Sequence, residues 1–334
     1  MLPIFNVTKS PRYFWVLLSF TLVVFAQSAR AADVDYPIHN LFQRMSDAFS
    51  HNNYDGVFVS AHGDMMDTMR IVHRVDHNME RERVIRLDGP RNELIRENET
   101  VTCIHPADWE GDIDHGIPVG PFAKAFARDA SQLNENYEIK LLRQGEFIIE
   151  RTADVLEIHP VDQLRYGYRI WVDQKTGLLL KSLMLDGANI LERFQFTHLV
   201  VDGAIEDVDL EAGIEGEVIA HYALPFSPVK VIDQQISSWE PRWIPKGFEK
   251  RQVSSATNDE SDTSNSHTYS DGMAAFSVFV EKRSDSSQDE AVTQMGATVA
   301  VGKAIDSAAG AHFVTVVGEV PLSTAKRVAS SVAP

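Results

Sequence analysis

One cysteine, Cys103, stands in 334 residues, so no disulfide can form within the chain and its stability must come from burial and hydrogen bonding. Basic charge is also scarce, with 31 Lys and Arg against 48 Asp and Glu and a formal net charge of −17. Such a surface repels a phosphate backbone, which argues against a nucleic-acid partner. After the first thirty residues no apolar run reaches membrane-spanning length. There is no Gly-x-Ser-x-Gly elbow, no phosphate-cradling glycine loop and no dinucleotide fingerprint between a strand and a helix. A hydrolase is left without a motif, and no cofactor is expected. No internal repeat is visible.

The N-terminus carries the first positive signal. Lys9 and Arg12 precede the apolar run from Tyr13 to Ala26, and small residues follow at Ala29 and Ala31. This is the pattern of a secretory signal peptide over residues 1–31, cleaved after Ala31; an uncleaved anchor is the alternative. Cleavage removes Lys9, Arg12 and Arg30 and no acid, taking the charge from −17 to −20. Cys103 lies far from that cleavage point, so a lipid-anchored product is not expected. About three hundred remaining residues exceed what one modest core organises, which predicts two domains.

Between Pro37 and His51 the apolar residues Ile38, Leu41, Phe42, Met45, Ala48 and Phe49 recur at helical spacing. From Tyr54 to about Val101 short β-rich runs alternate with turn formers, among them Val57-Phe58-Val59, Met69 to Val72, Arg83 to Leu87 and Glu93 to Arg96. A helix follows over Pro121 to Asn134 with Phe122 and Phe126 on one face. Strands resume at Tyr137 to Leu142 and Phe147 to Ile149, and continue to His198. The expected fold class is α+β: a large N-terminal antiparallel sheet over 32–222, curled by its own twist and covered by helices, and a small C-terminal α+β domain over 239–334. Leu224-Pro225-Phe226-Ser227-Pro228 ends sheet pairing and marks a linker over 223–238.

Phe42, Met45, Phe49, Phe58, Phe122 and Phe126 are the candidates for the concave interior, which is either a dry core or a site for an acyl chain. A second candidate is the stretch from Arg70 to Arg96, where seven arginines, Arg86 and Arg91 among them, face five acids. It is either a solvated strand face of alternating sign or a basic rim for an anionic group or acidic peptide. Trp239, Trp243 and Phe248, interleaved with Pro241 and Pro245, either pack their own domain or meet a partner. His73 and His77 have a helical metal spacing but lie in a strand region, too far apart to share a metal ion, and no third ligand is apparent.

Several segments in order resemble the periplasmic regulators RseB and MucB. Val84 to Arg96, Ile170-Trp171-Val172-Asp173 through Leu179, and Leu191-Glu192-Arg193-Phe194 are similar to that family's large domain. Trp239 to Phe248, Tyr269-Ser270-Asp271-Gly272-Met273, Phe276-Ser277-Val278 and Val317 to Ala329 are similar to its small domain. The resemblance implies a periplasmic, non-enzymatic regulator of an envelope-stress sigma factor, sigma-E or AlgU. It implies binding to the periplasmic domain of an anti-sigma factor of the RseA or MucA type, and shielding of it from site-1 proteolysis. It further implies a LolA/LolB-like half-barrel, release by lipid or lipopolysaccharide, and self-association as a homodimer. A lipid or lipoprotein carrier is the alternative, and it would need only the first domain.

Overall fold

The computed structural model describes residues 38–106, 133–222, 239–251, 265–283 and 289–334, apart from 78, 90, 99, 308 and 309. The expected signal peptide, the helix over Pro121 to Asn134 as far as residue 132, and the linker over 223–238 lie outside the described residues. Helix α1 (Ile38–His51) leads into five strands joined as successive hairpins, β1 (Tyr54–His62), β2 (Met65–Asp76), β3 (Met79–Arg86), β4 (Glu93–Glu97) and β5 (Thr100–Pro106). The short helix α2 (Leu133–Asn136) precedes β6 (Tyr137–Ile148), β7 (Arg151–Pro160), β8 (Gly167–Asp173), β9 (Leu179–Asp186) and β10 (Asn189–Val201). The helical turn α3 (Asp207–Leu210) and strand β11 (Gly216–Tyr222) complete the first sheet. Its eleven strands run β11-β5-β4-β3-β2-β1-β10-β9-β8-β7-β6, every pairing antiparallel.

So many strands curl as their twist accumulates, and bulges add to it. Register shifts fall at Val57/Phe58 between β1 and β10, at Ile190/Glu192 between β10 and β9, and at Trp171/Val172 between β8 and β9. The β1–β10 contact is unusually close. A Cβ on Gly56 would stand 2.6 Å from the Phe196 ring, so only glycine lets that ring lie flat on the neighbouring strand. Phe196 then joins Phe58 and Phe194 in an aromatic cluster with ring centroids 5.2–5.9 Å apart. Met45, Ala48 and Phe49 of α1 bury their stripe in the same core, beside Tyr54, Met69 and Ile71. Arg44 fixes the helix by donating to the Asp173 and Gln174 carbonyls of the β8–β9 turn, at 3.3 and 2.6 Å.

Two expected strands at Tyr137 to Leu142 and Phe147 to Ile149 are one strand, β6, kinked where its register with β7 shifts on both sides of Arg143. Gly145, at φ 70°, marks the irregularity rather than the hairpin turn. That turn is made by Ile149 and Glu150, at φ 45° and 61°, conformations that β-branched and charged residues seldom adopt and that a sequence does not advertise.

The remaining elements are β12 (Glu240–Pro241), β13 (Glu249–Arg251), β14 (Asn265–Ser270), β15 (Ala275–Lys282), β16 (Glu290–Met295), β17 (Thr298–Ser307), β18 (Gly310–Gly318), α4 (Leu322–Ser331) and β19 (Val332–Ala333), which form the second sheet and its cover. Six strands run β13-β14-β15-β18-β17-β16, and β12 pairs separately with β19. Helix α4 buries Ala325, Val328 and Ala329 against Val278, Val299, Val314 and Val316, forming a second core that also holds Trp239, Phe248 and Phe276. Strand β16, which the sequence reading missed, is exposed along its length and so lacks the buried alternation that reveals a half-buried strand.

Candidate functional site

Three places gather polar or apolar side chains of functional interest. The first is the face of the large sheet that carries α1. Met45, Phe49 and Phe58 are buried there among the aromatic cluster. Phe42 lies on α1 but its side chain is outside the described residues, as are Phe122 and Phe126 entirely. A polar group interrupts this apolar face near α1. His73 is fully buried, stacks on Tyr54 with centroids 4.8 Å apart, and has Nδ1 2.9 Å from the Asn52 carbonyl and Nε2 3.3 Å from Glu80. Arg96 bridges Glu80 at 2.5 Å and Glu82 at 2.9 Å.

Burial alone would raise the Glu80 pKa, but the His73 hydrogen bond and the Arg96 charge and hydrogen bond outweigh it and hold the carboxyl at about 2. Because the folded value lies below the ordinary 4.5, Glu80 contributes stability at neutral pH that is lost as pH falls from about 4.5 towards 2. Glu80→Gln should therefore cost about 1–2 kcal/mol at neutral pH and little near pH ~2, where the native carboxyl is itself protonating. Urea midpoints of the two proteins across that range measure the difference; a constant gap would show that the carboxylate charge contributes nothing.

His77 sits on the β2–β3 turn with its side chain almost wholly exposed, so it shares no site with the buried His73. Among the described residues no three His, Cys, Asp or Glu side chains come together as a metal site.

The second place is the arginine stretch, where α3 covers the opposite face of β2 and β3. Arg74 and Arg81 both meet Asp207, Arg70 meets Asp55 at 2.7 Å and Asp209 at 3.5 Å, and the buried Arg83 makes a two-pronged pair with Glu93 at 3.0 Å. Arg86 reaches Asp67 at 3.2 Å, and Arg91 reaches Glu93 at 3.2 Å with about half its side chain exposed. Most of the excess positive charge is thus matched by acids brought from Asp55, Asp67 and α3. Arg91 is the most exposed guanidinium of the group.

The third place is the junction of the two sheets. Asp271, in the β14–β15 turn, accepts from the Tyr137 hydroxyl at 2.9 Å, from Arg165 at 2.5 Å, and from the Met273 and Ala274 amides at 2.9 and 2.8 Å. Both side chains of the Arg165–Asp271 pair are fully buried. Arg165 also donates to Asp162 and to the Lys246 carbonyl at 2.6 Å, and its guanidinium lies over the Tyr137 and Phe248 rings, 5.6 and 5.2 Å from their centroids. Tyr166 donates to the Val320 carbonyl at 3.1 Å and Thr324 to the Leu164 carbonyl at 3.0 Å. Met273 and Ala297, from the second sheet's connections, are buried in the first sheet's core. Beside this joint a cleft of about 580 Å³ opens between His159, Asp162, Arg165 and Asp186 on one side and Pro321, Leu322 and Ser323 on the other.

The aromatics of the proline-containing segment fall on the second sheet's side. Trp239 and Phe248 are buried in the second core, whereas Trp243 is half-buried with the Arg327 guanidinium 3.8 Å from its ring centroid. Sequence reasoning did not single out Tyr137 or Arg165, whereas Asp271 lies inside the segment Tyr269 to Met273 that carries part of the family resemblance.

Comparison with known proteins bears on these features together. Residues 37–214 match the family model of the MucB/RseB N-terminal domain, and residues 233–333 that of the MucB/RseB C-terminal domain. The chain is 36% identical over 323 residues to the sigma factor AlgU regulatory protein MucB of Pseudomonas aeruginosa, covering 96% of each. It is 27% identical over 297 residues to the sigma-E factor regulatory protein RseB of Escherichia coli K12, covering 87% of this chain and 89% of that protein. The structure resembles MucB in the Pseudomonas aeruginosa MucA/MucB complex with a TM-score of 0.71 and 34% identity, over 90% of this chain and 99% of the other. It also resembles MucB in complex with MucA(peri), with a TM-score of 0.68 and 34% identity, over 89% and 98%. With both sheets matched in order over nearly the whole described length, the chain belongs to the MucB/RseB family of sigma-factor regulatory proteins.

Proposed function

We propose that this protein is a periplasmic regulator that grips the periplasmic segment of a membrane-bound anti-sigma factor, keeps it from site-1 proteolysis, and lets it go when an acyl chain enters the large sheet. The observation that carries this reading is the shared fold, over both sheets, with a relative whose structure is a complex with MucA. The chain acts by binding rather than catalysis, and it is exported by a cleaved signal peptide over residues 1–31. The gripping unit divides into a half-barrel over 32–222, a linker over 223–238 and a second domain over 239–334, and it works as a homodimer.

Physical chemistry supports a division of labour. An acyl chain is assigned to Met45, Phe49 and Phe58, with Phe42, Phe122 and Phe126 added from helix phase; because the first three are buried in the packed core, the chain would enter by displacing part of that packing. Arg91 and Trp243, with partly exposed side chains, are assigned direct contact with the partner peptide, and Arg86 a supporting contact. Trp239 and Phe248 act from below, fixing the segment that presents Trp243. A lipid can release the peptide only by binding the free and the occupied forms with different affinity.

In the deciding assay the purified chain is added to the anti-sigma factor's periplasmic segment and a site-1 protease. Cleavage should slow at least about tenfold and recover when lipopolysaccharide is added. Unchanged cleavage would remove the shielding role, and protection indifferent to lipid would remove the sensing role. Arg91→Gln should weaken capture of the segment about five- to tenfold while leaving the unfolding midpoint nearly in place, because the Arg91 side chain is about half exposed and the buried Glu93 keeps its two-pronged pair with Arg83. Calorimetric titration reads the affinity.

A further inference from the structure

The second sheet ends on a strand that nothing in the described chain covers. Strand β16 pairs with β17 alone, and all six of its residues are exposed. Its register with β17 is unbroken from Glu290↔Lys303 to Met295↔Thr298. The Ala304 amide donates to the Asp289 carbonyl at 2.9 Å, and the alternation of an antiparallel ladder then turns the amides and carbonyls of Glu290, Val292 and Gln294 outward. Each of these residues offers a donor and an acceptor to the open edge. Two of the other edges of the large sheets are blunted. β6 carries Glu138, Lys140, Arg143 and Glu146 and is kinked on both sides of Arg143, and β13 is three charged residues long. Charges, kinks and short lengths are how sheets avoid unwanted pairing. β11, the remaining edge, leads directly into residues outside the described set. β16 has a single charge, at its first position, and no kink or proline.

Beside the end of β16 both sheets supply apolar side chains. The β16–β17 turn touches the β1–β2 turn, where a Cβ on Gly296 would stand 3.1 Å from the Gly63 amide nitrogen. Met295 immediately precedes Gly296, Met65 and Met66 follow Gly63, and all three methionines are exposed. Methionine is flexible and polarisable and adapts to varied apolar partners. The edge thus runs from a charged end, where Asp289 meets Arg283 and Glu290 meets Lys326, to an apolar end.

We propose that β16 takes up an extended segment of a partner protein as a further strand of the second sheet, with a bulky apolar residue of that segment seated on Met65, Met66 and Met295. Main-chain hydrogen bonds to Glu290, Val292 and Gln294 supply the affinity, and the methionines supply selectivity. The inference rests on the partner-shielding reading and deepens it: the protected stretch of the anti-sigma factor is this added strand. A strand already paired in a sheet is not available to a protease that must itself take it extended. A second copy of the chain suits the edge poorly. Antiparallel self-pairing reverses one copy against the other, so the methionine end of each is carried to the charged end of its mate, where Arg283, Asp289, Glu290 and Lys326 stand. A separate segment has no such constraint.

The test uses the full chain and the anti-sigma factor's periplasmic segment. In the parent, saturating segment should slow hydrogen exchange of the Val292 and Gln294 amides at least about tenfold. Proline at position 292 removes an amide that β17 does not use and sets its ring on the open side. Val292→Pro should therefore keep an unfolding midpoint close to the parent's and weaken capture, read by calorimetric titration, at least about tenfold. Met66→Ser should weaken it about threefold. The exchange measurement needs no variant, so a misfolded Val292→Pro leaves the proposal exposed to refutation. Capture by the parent with unchanged exchange at those amides, or equal capture by parent and Val292→Pro, overturns the edge and leaves the shielding reading intact. Equal capture by Met66→Ser removes the methionine seat. No capture by the parent removes the shielding reading itself, and this occupant of the edge with it. Dimers of the parent that Val292→Pro abolishes would assign the edge to a second copy and likewise overturn the proposal.

Discussion

Arg165→Met is expected to destabilise the protein by about 3–5 kcal/mol, the loss typical of removing one member of a buried ion pair and leaving the other charge unmatched. Asp271 would keep its Tyr137 hydroxyl and two amide donors, but three neutral donors do not replace a guanidinium at a site without solvent. The Lys246 carbonyl and the Asp162 carboxylate would lose their partner as well. Urea unfolding followed by circular dichroism measures the change. Adding Asp271→Asn to the same chain should recover part of the loss, since the orphaned charge is then gone. A cost below about 1 kcal/mol for the single substitution would mean that water already reaches the pair.

The other large effect belongs to the aromatic cluster. Phe58→Ala should cost about 3–5 kcal/mol, because the ring is almost fully buried between Phe194 and Phe196, and Gly56 holds Phe196 too tightly for it to collapse into the space. The vacated volume would be lined by carbon and should stay dry. Thermal unfolding in the presence and absence of a small aromatic solute tests both points: a lowered midpoint, partly restored by the solute, is the expected result. A loss under about 1 kcal/mol would show that the neighbouring rings move in to fill the gap.

Much of this architecture could be read before any coordinates. The α1 stripe and the hairpin ladder follow from patterns that repeat; that phase turned Met45, Phe49 and Phe58 inward, to either a core or an acyl-chain site, and all three are buried in the core. Legibility failed where geometry depended on partners distant in sequence. The arginine stretch looked unbalanced because its acids arrive from Asp55, Asp67, Asp207 and Asp209, the last two more than a hundred residues further on. The junction residues had no periodic signature at all: Tyr137 and Arg165 meet Asp271 across more than a hundred positions. β6 reads as two runs because Arg143-Gln144-Gly145-Glu146 interrupts its apolar pattern, whereas the hairpin turn is made further on by Ile149 and Glu150. Trp239 and Phe248 show the opposite case. A proline-fixed segment rich in aromatics was expected either to pack or to recognise, and both of these residues pack.

Since Arg165, Tyr137, Tyr166, Thr324, Met273 and Ala297 already fasten the two sheets together through side chains, covalent continuity is redundant for their association. A chain nicked anywhere between Tyr222 and Trp239 should emerge from a sizing column as a single species. The halves, made as separate polypeptides, should find each other in the tube.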